Sequence, residues 1–91
     1  MTASNDTASD VASRTARALE LLQAGQFEEA EAMLGALLAA SPADGDLLAN
    51  LGLIAFRRRD MPRARQVLEQ AVSSAPGNAA AHSNLAAVLA E

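Results

Sequence analysis

Residues 45–78 read GDLLANLGLIAFRRRDMPRARQVLEQAVSSAPGN, and this stretch decides the fold. Within it Met61, Ala64, Leu68 and Ala71 follow one another at intervals of three, four and three residues, which puts them on one face of a helix. The pair Arg59-Asp60 breaks the chain just before them. Pro62 falls in the first turn of the helix, where its missing N–H costs nothing. The helix has to stop near Ala75-Pro76, because a proline pushes the residue before it out of the α region. Asp44 and Asn78 stand where N-caps are needed for the helices that follow them. The stretch is thus a helical hairpin followed by the start of another.

Sliding the chain against itself by 34 residues carries Pro42 onto Pro76, Ala30 onto Ala64, Leu34 onto Leu68, Leu19 onto Leu53, and Asn50-Leu51 onto Asn84-Leu85. The earlier copy repeats the helical face as Phe27, Ala30, Leu34 and Leu37. It is preceded by the break Ala24-Gly25-Gln26, in which Gly25 can take the left-handed conformation that ends a helix, and it closes at Ser41-Pro42. A third copy begins near Ala79 and reaches Glu91 after a single helix. The pattern predicts a disordered tail over residues 1–10, one repeat over 11–44, a second over 45–78, and over 79–91 the first helix of an incomplete third repeat or a capping helix. Helices are expected near 10–24, 27–40, 45–58, 61–74 and 79–90. The short loops between them make each pair antiparallel neighbours. The small residues Ala30, Gly52, Ala64 and Ala71 let paired helices approach closely.

Composition agrees with this reading. The chain has 91 residues, of which 51% are hydrophobic but only 2% aromatic, so one compact unit must build its core from close helix contacts rather than bulky side chains. No run alternates β-branched with polar residues, and the class is all-α. Net charge is −4, and no basic cluster is interleaved with aromatics, which argues against nucleic acid as a partner. The run Arg57-Arg58-Arg59 reads as a solvated helix end whose cations offset the helix dipole. With no cysteine there is neither disulfide nor thiolate chemistry. Met1 to Asp10 lacks the basic and apolar regions of a secretory signal, and no apolar run approaches the ~20 residues a membrane span needs. A cytoplasmic location is expected.

Nothing in the chain points to catalysis. The lone His82 has no second histidine or cysteine with which to hold a metal. Glu28, Glu29 and Glu31 read as the solvated face of their helix, since adjacent residues do not face each other. No strained nucleophile turn and no glycine-rich phosphate loop occurs. The chain is expected to be no enzyme and to carry no cofactor or metal.

The second unit resembles the tetratricopeptide repeat family. Leu48, Leu51, Gly52 and Ala55 stand where that pattern has its tryptophan, leucine, glycine and tyrosine, and Ala64, Leu68, Ala71 and Pro76 complete it. The first unit matches through Gly25-Gln26-Phe27-Glu28-Glu29-Ala30 but departs at Arg14 and Arg17, where the family prefers apolar residues, as a terminal unit with a polar outer face would. The resemblance implies a right-handed α-solenoid of five helices. Its concave surface, formed by the first helix of each hairpin, would receive an extended peptide or a partner helix. On this chain the inner positions are Asp46, Ala49, Asn50, Leu53, Phe56 and Arg57, continued by Ala80, Ser83, Asn84 and Ala87. Asp46, Asn50, Leu53, Arg57 and Asn84 are the expected partner-binding residues. Family members with asparagine at the place of Asn50 and Asn84 use it on the backbone of a bound peptide, and an amide offers the donor and the acceptor that a peptide unit requires. The other reading is that both asparagines bond within or between helices. The family's basic clamp for chaperone tails maps onto Thr15, Leu19, Asn50, Ala80 and Asn84, of which only Asn50 fits, so that activity is not expected.

Three functions remain open on these grounds. The first is a protein–protein interaction module. The second is the N-terminal docking or regulatory region of a larger bacterial enzyme of glycosyltransferase or sulfotransferase type, with its catalytic residues beyond Glu91. The third is self-association through the last helix, where His82, Leu85 and Leu89 point to the place a second helix of that hairpin should occupy. Leu85 and Leu89 are the expected self-association residues. That face is compatible with a piece of a longer chain, with a homodimer, or with a monomer capped by its own last helix.

Overall fold

The computed structural model describes residues 7–91, which form α1 (Thr7–Gln23), α2 (Phe27–Ala40), α3 (Gly45–Arg57), α4 (Met61–Ser74) and α5 (Ala79–Leu89). These residues are all-α, as expected. α1 begins ahead of the expected residue 10, so the stretch from Thr7 to Asp10 is helix rather than tail. The rest of the expected tail, residues 1–6, lies outside the described residues.

Local chemistry sets the helix starts. The Asp44 carboxylate accepts from the Asp46 and Leu47 amides at 3.0 and 3.1 Å, which satisfies two of the donors that the first turn of α3 leaves without a partner. Asn78 does the same for α5 through the Ala81 amide at 2.9 Å. Asp60 caps α4 by accepting from the Arg63 amide, and Pro62 follows in the first turn. α2 differs, because Gln26 makes no side-chain cap. The turns before α2 and α4 share one backbone shape, with Gly25 at φ 83° and Arg59, one repeat later, at φ 67°. Glycine adopts this left-handed region freely, whereas the Cβ of Arg59 does so at a cost.

α1 pairs with α2 and α3 with α4, and α3 then lies against the first hairpin as α5 lies against the second. Two cores result. Ala18, Leu22, Ala30, Leu34 and Leu37 are buried together with Leu47 and Ile54 of α3. The other side of α3 contributes Leu48, Ala49 and Ala55 to a core shared with Ala64, Val67, Leu68, Ala71, Ala81 and Val88. α3 is thus the central helix, apolar on two flanks. Its Gly52 permits a close approach of α4, since a Cβ there would collide with the Leu68 side chain. The whole is elongated, 49 × 28 × 18 Å, with the first helices of the successive units side by side.

Candidate functional site

α3 carries four of the five expected partner-binding residues at intervals of four, three and four: Asp46, Asn50, Leu53 and Arg57. That spacing makes one stripe along the helix, about 16 Å long at 1.5 Å per residue. The stripe is acidic at the N-terminal end of α3 and basic at the C-terminal end, each sign opposite to the helix pole beside it.

The four residues differ in how far they are already engaged. Asp46 is exposed and accepts a hydrogen bond from the Asn78 amide nitrogen, which ties the start of α3 to the start of α5. Leu53 is half-buried against the first core, so its outer edge alone is open. Asn50 is half-buried, and among the described residues nothing hydrogen-bonds its side chain. Arg57 is exposed and has no ion-pair partner among them. The neighbouring arginines are occupied: Arg58 meets Glu31 at 2.9 Å, and Arg59 lies 3.6 Å from Glu91. The arginine run is therefore not uniformly solvated, and neither is Glu31, which also meets Arg63 at 3.2 Å and so joins α2 to the second hairpin.

Asn84, the fifth expected residue, has a different environment from its counterpart Asn50. Its amide nitrogen donates to the Ala49 carbonyl of α3 at 3.4 Å, a long bond that spans the two helices. The corresponding carbonyl for Asn50 would be that of Thr15, but α1 and α3 touch more sparsely than α3 and α5 do. One asparagine is thereby engaged within the fold and the other is left available.

Beside the stripe, a groove of roughly 420 Å³ separates α1 from α3, lined by Val11, Thr15 and Leu19 on one wall and Asp46 and Leu47 on the other. Val11 and Leu19 present half-buried apolar surface, while Asp44 and Asp46 set the charge of one end. The Thr15 hydroxyl donates to the Val11 carbonyl at 2.7 Å and is not free for a ligand. Val11 was not among the expected site residues. Its counterparts one and two repeats on are Gly45 and Ala79, too small to announce a wall at that position.

At the other end of the molecule the two expected self-association residues separate. Leu85 is half-buried against the second core, whereas Leu89 is 58% exposed. His82 is also exposed, and its Nε2 donates to the Pro76 carbonyl at 2.6 Å.

Repeated antiparallel hairpins whose first helices lie side by side, leaving a groove between them, define a helical-repeat scaffold. The tetratricopeptide repeat model matches residues 15–79 and again residues 57–91, and the chain belongs to the tetratricopeptide repeat family. Repeats of this family generally mediate protein–protein interactions and are typically non-catalytic. No curated protein matches the chain. Among the described residues no helix is long and apolar enough to cross a membrane.

Proposed function

We propose that the chain is an interaction module that holds a peptide or a partner helix along the concave surface of α1, α3 and α5. The observation that carries this reading is the α3 stripe, in which the side chains of Asn50 and Arg57 lie on one face with no hydrogen bond or ion pair to any described residue. A half-buried amide with unmet bonding capacity is suited to a ligand backbone, which supplies both a donor and an acceptor. Arg57 is suited to an acidic side chain, and Asp44 with Asp46 to a basic one about three helical turns away. The apolar walls Val11 and Leu19 would take an aliphatic side chain between them. The partner segment is thus mixed in charge, basic at one end and acidic at the other, with an apolar anchor. Asn84 serves mainly to hold α5 on α3, and Asp46 contributes its charge while remaining tied to Asn78.

Selection of binders from a displayed random-peptide library, followed by titration of the selected peptides, tests the proposal. Asn50→Ala and Arg57→Glu should each weaken binding by about tenfold, equivalent to about 1.4 kcal/mol, with an unchanged far-UV circular dichroism spectrum. Asn84→Ala should leave affinity within about twofold and lower stability slightly. Equal affinity for the wild type and both α3 variants would remove the groove from the account.

A further inference from the structure

The junction of α1 with α3 and the junction of α3 with α5 occupy equivalent places in successive units, and they are closed differently. At the second, Asn78 caps α5 with its side-chain oxygen, and its amide nitrogen donates across to the Asp46 carboxylate of α3. One repeat earlier the place of Asn78 is taken by Asp44, and that of Asp46 by Ala12. Asp44 caps α3 as Asn78 caps α5, but a carboxylate has no hydrogen to donate across the junction, and alanine has no side-chain acceptor to receive one. The chain's own amide thus ties the second junction together, while the first stays open as the groove beside Asp44 and Asp46.

Both of these carboxylates are only half used. Asp44 engages one oxygen with the Asp46 and Leu47 amides, and Asp46 engages one with Asn78. The second oxygen of each has no hydrogen bond, and neither residue forms an ion pair, among the described residues. The positive pole of α3 supplies roughly half a unit charge against two carboxylates, so this end of the groove stays negative. The rest of the lining is Val11, Ala12, Thr15, Ala16, Leu19 and Leu47, with no arginine. The Thr15 hydroxyl is already turned to the Val11 carbonyl. The groove is therefore apolar along its length and anionic at one end.

We infer that this groove is a lysine subsite: the stem of a partner's lysine lies along Val11 and Leu19, and its ammonium sits at the Asp44 and Asp46 carboxylates. The inference rests on the proposal that a peptide occupies the concave surface, and it makes the apolar anchor and the basic end of that peptide one residue. A long basic side chain meets both demands, because it buries its carbon stem on apolar surface while its charge stays at the wet rim. Lysine suits the site better than arginine, since each carboxylate has one oxygen left to offer. A guanidinium fork pairs best with both oxygens of a single carboxylate, whereas an ammonium's rotatable donors can meet one oxygen from each of two. These 91 residues contain no lysine, so a second copy of them cannot supply it.

The probes are synthetic peptides selected on the full chain from a displayed random-peptide library, and their sequences should share one lysine. Replacing that lysine with norleucine, which keeps the stem and removes the charge, should weaken binding by about tenfold. Replacing it with diaminopropionic acid, which keeps the charge and removes most of the stem, should weaken binding by about fivefold. Asp46→Asn, which retains an acceptor for Asn78, should weaken the lysine peptide by about threefold and leave the norleucine peptide almost unaffected. Norleucine binding as tightly as lysine, or the same loss from Asp46→Asn with both peptides, would overturn the inference. If Asn50→Ala still weakened such peptides, the concave-surface reading would survive that failure. Binding indifferent to both Asn50→Ala and Asp46→Asn, or a library that yields no binder, would remove both.

Discussion

In the second hairpin α4 reaches α3 across Gly52, and Leu68 fills the space where a Cβ would stand. In the first, the same position is Ala18, and α2 brings Leu34 against it. The outer flanks differ as well. α3 buries Leu48 and half-buries Leu51, while one repeat earlier α1 exposes Arg14 and Arg17. The turns differ in a complementary way: the first has the favourable backbone residue, Gly25, without a cap, and the second has the cap, Asp60, on an unfavourable left-handed Arg59. The two units therefore share a register while meeting its demands with different residues. The second hairpin is packed on both sides, by the first hairpin and by α5, whereas the first keeps charged residues on its outer flank.

The largest expected effect that probes this comparison comes from overfilling the hairpins. Ala30 and Ala64 are both fully buried, and replacing either with phenylalanine forces the paired helices apart. Because α4 lies closer to α3, Ala64→Phe should cost about 3 kcal/mol or more and lower the melting temperature by more than about 10 °C, with a smaller loss for Ala30→Phe. An unchanged melting curve for Ala64→Phe would refute the register itself.

Gly52→Ala gives a finer test. Alanine gains about 1 kcal/mol of helix propensity, but its Cβ meets the buried Leu68 side chain, and overpacking of that kind costs about 1–3 kcal/mol. The net change should be a destabilisation of about 1 kcal/mol by denaturant titration. Ala18→Gly in the first hairpin should also destabilise, by about 1–2 kcal/mol, through lost helix propensity together with the loss of a buried methyl group. Stabilisation by Gly52→Ala would mean that the second hairpin is no tighter than the first.

The smallest effects come from exchanging turn features between the units. Arg59→Gly relieves the left-handed backbone, and Gln26→Asp copies the Asp60 cap into the first hairpin. Each should stabilise by about 0.5 kcal/mol. A loss from Gln26→Asp would show that the first turn cannot adopt the capped geometry of the second.

The helix bounds were legible because they depend on local signals. Pro42, Pro76, Gly25, Asp44 and Asn78 each act within a few residues, and α2 and α4 occupy the expected spans. The buried small residues were legible too, because Ala30, Ala64 and Ala71 recur on one face of a 3.6-residue period. What escaped was the difference between equivalent positions. Asn50 and Asn84 look alike in the repeat, yet only Asn84 meets a carbonyl, because that depends on how closely α5 and α1 each approach α3. The same holds for Glu31. It reads as a solvated carboxylate along its own helix, and its two arginine partners lie 27 and 32 residues away in sequence. Long-range approach is set by the packing of whole helices, and the sequence pattern constrains it only weakly.

The most direct test of the binding account is an amide chemical-shift map of the labelled chain titrated with a peptide selected against it. The account predicts the largest shifts at Asn50, Leu53 and Arg57 of α3, together with Val11 to Leu19 of α1. Shifts confined to α2 and the outer face of α4, with the α3 stripe unmoved, would contradict it.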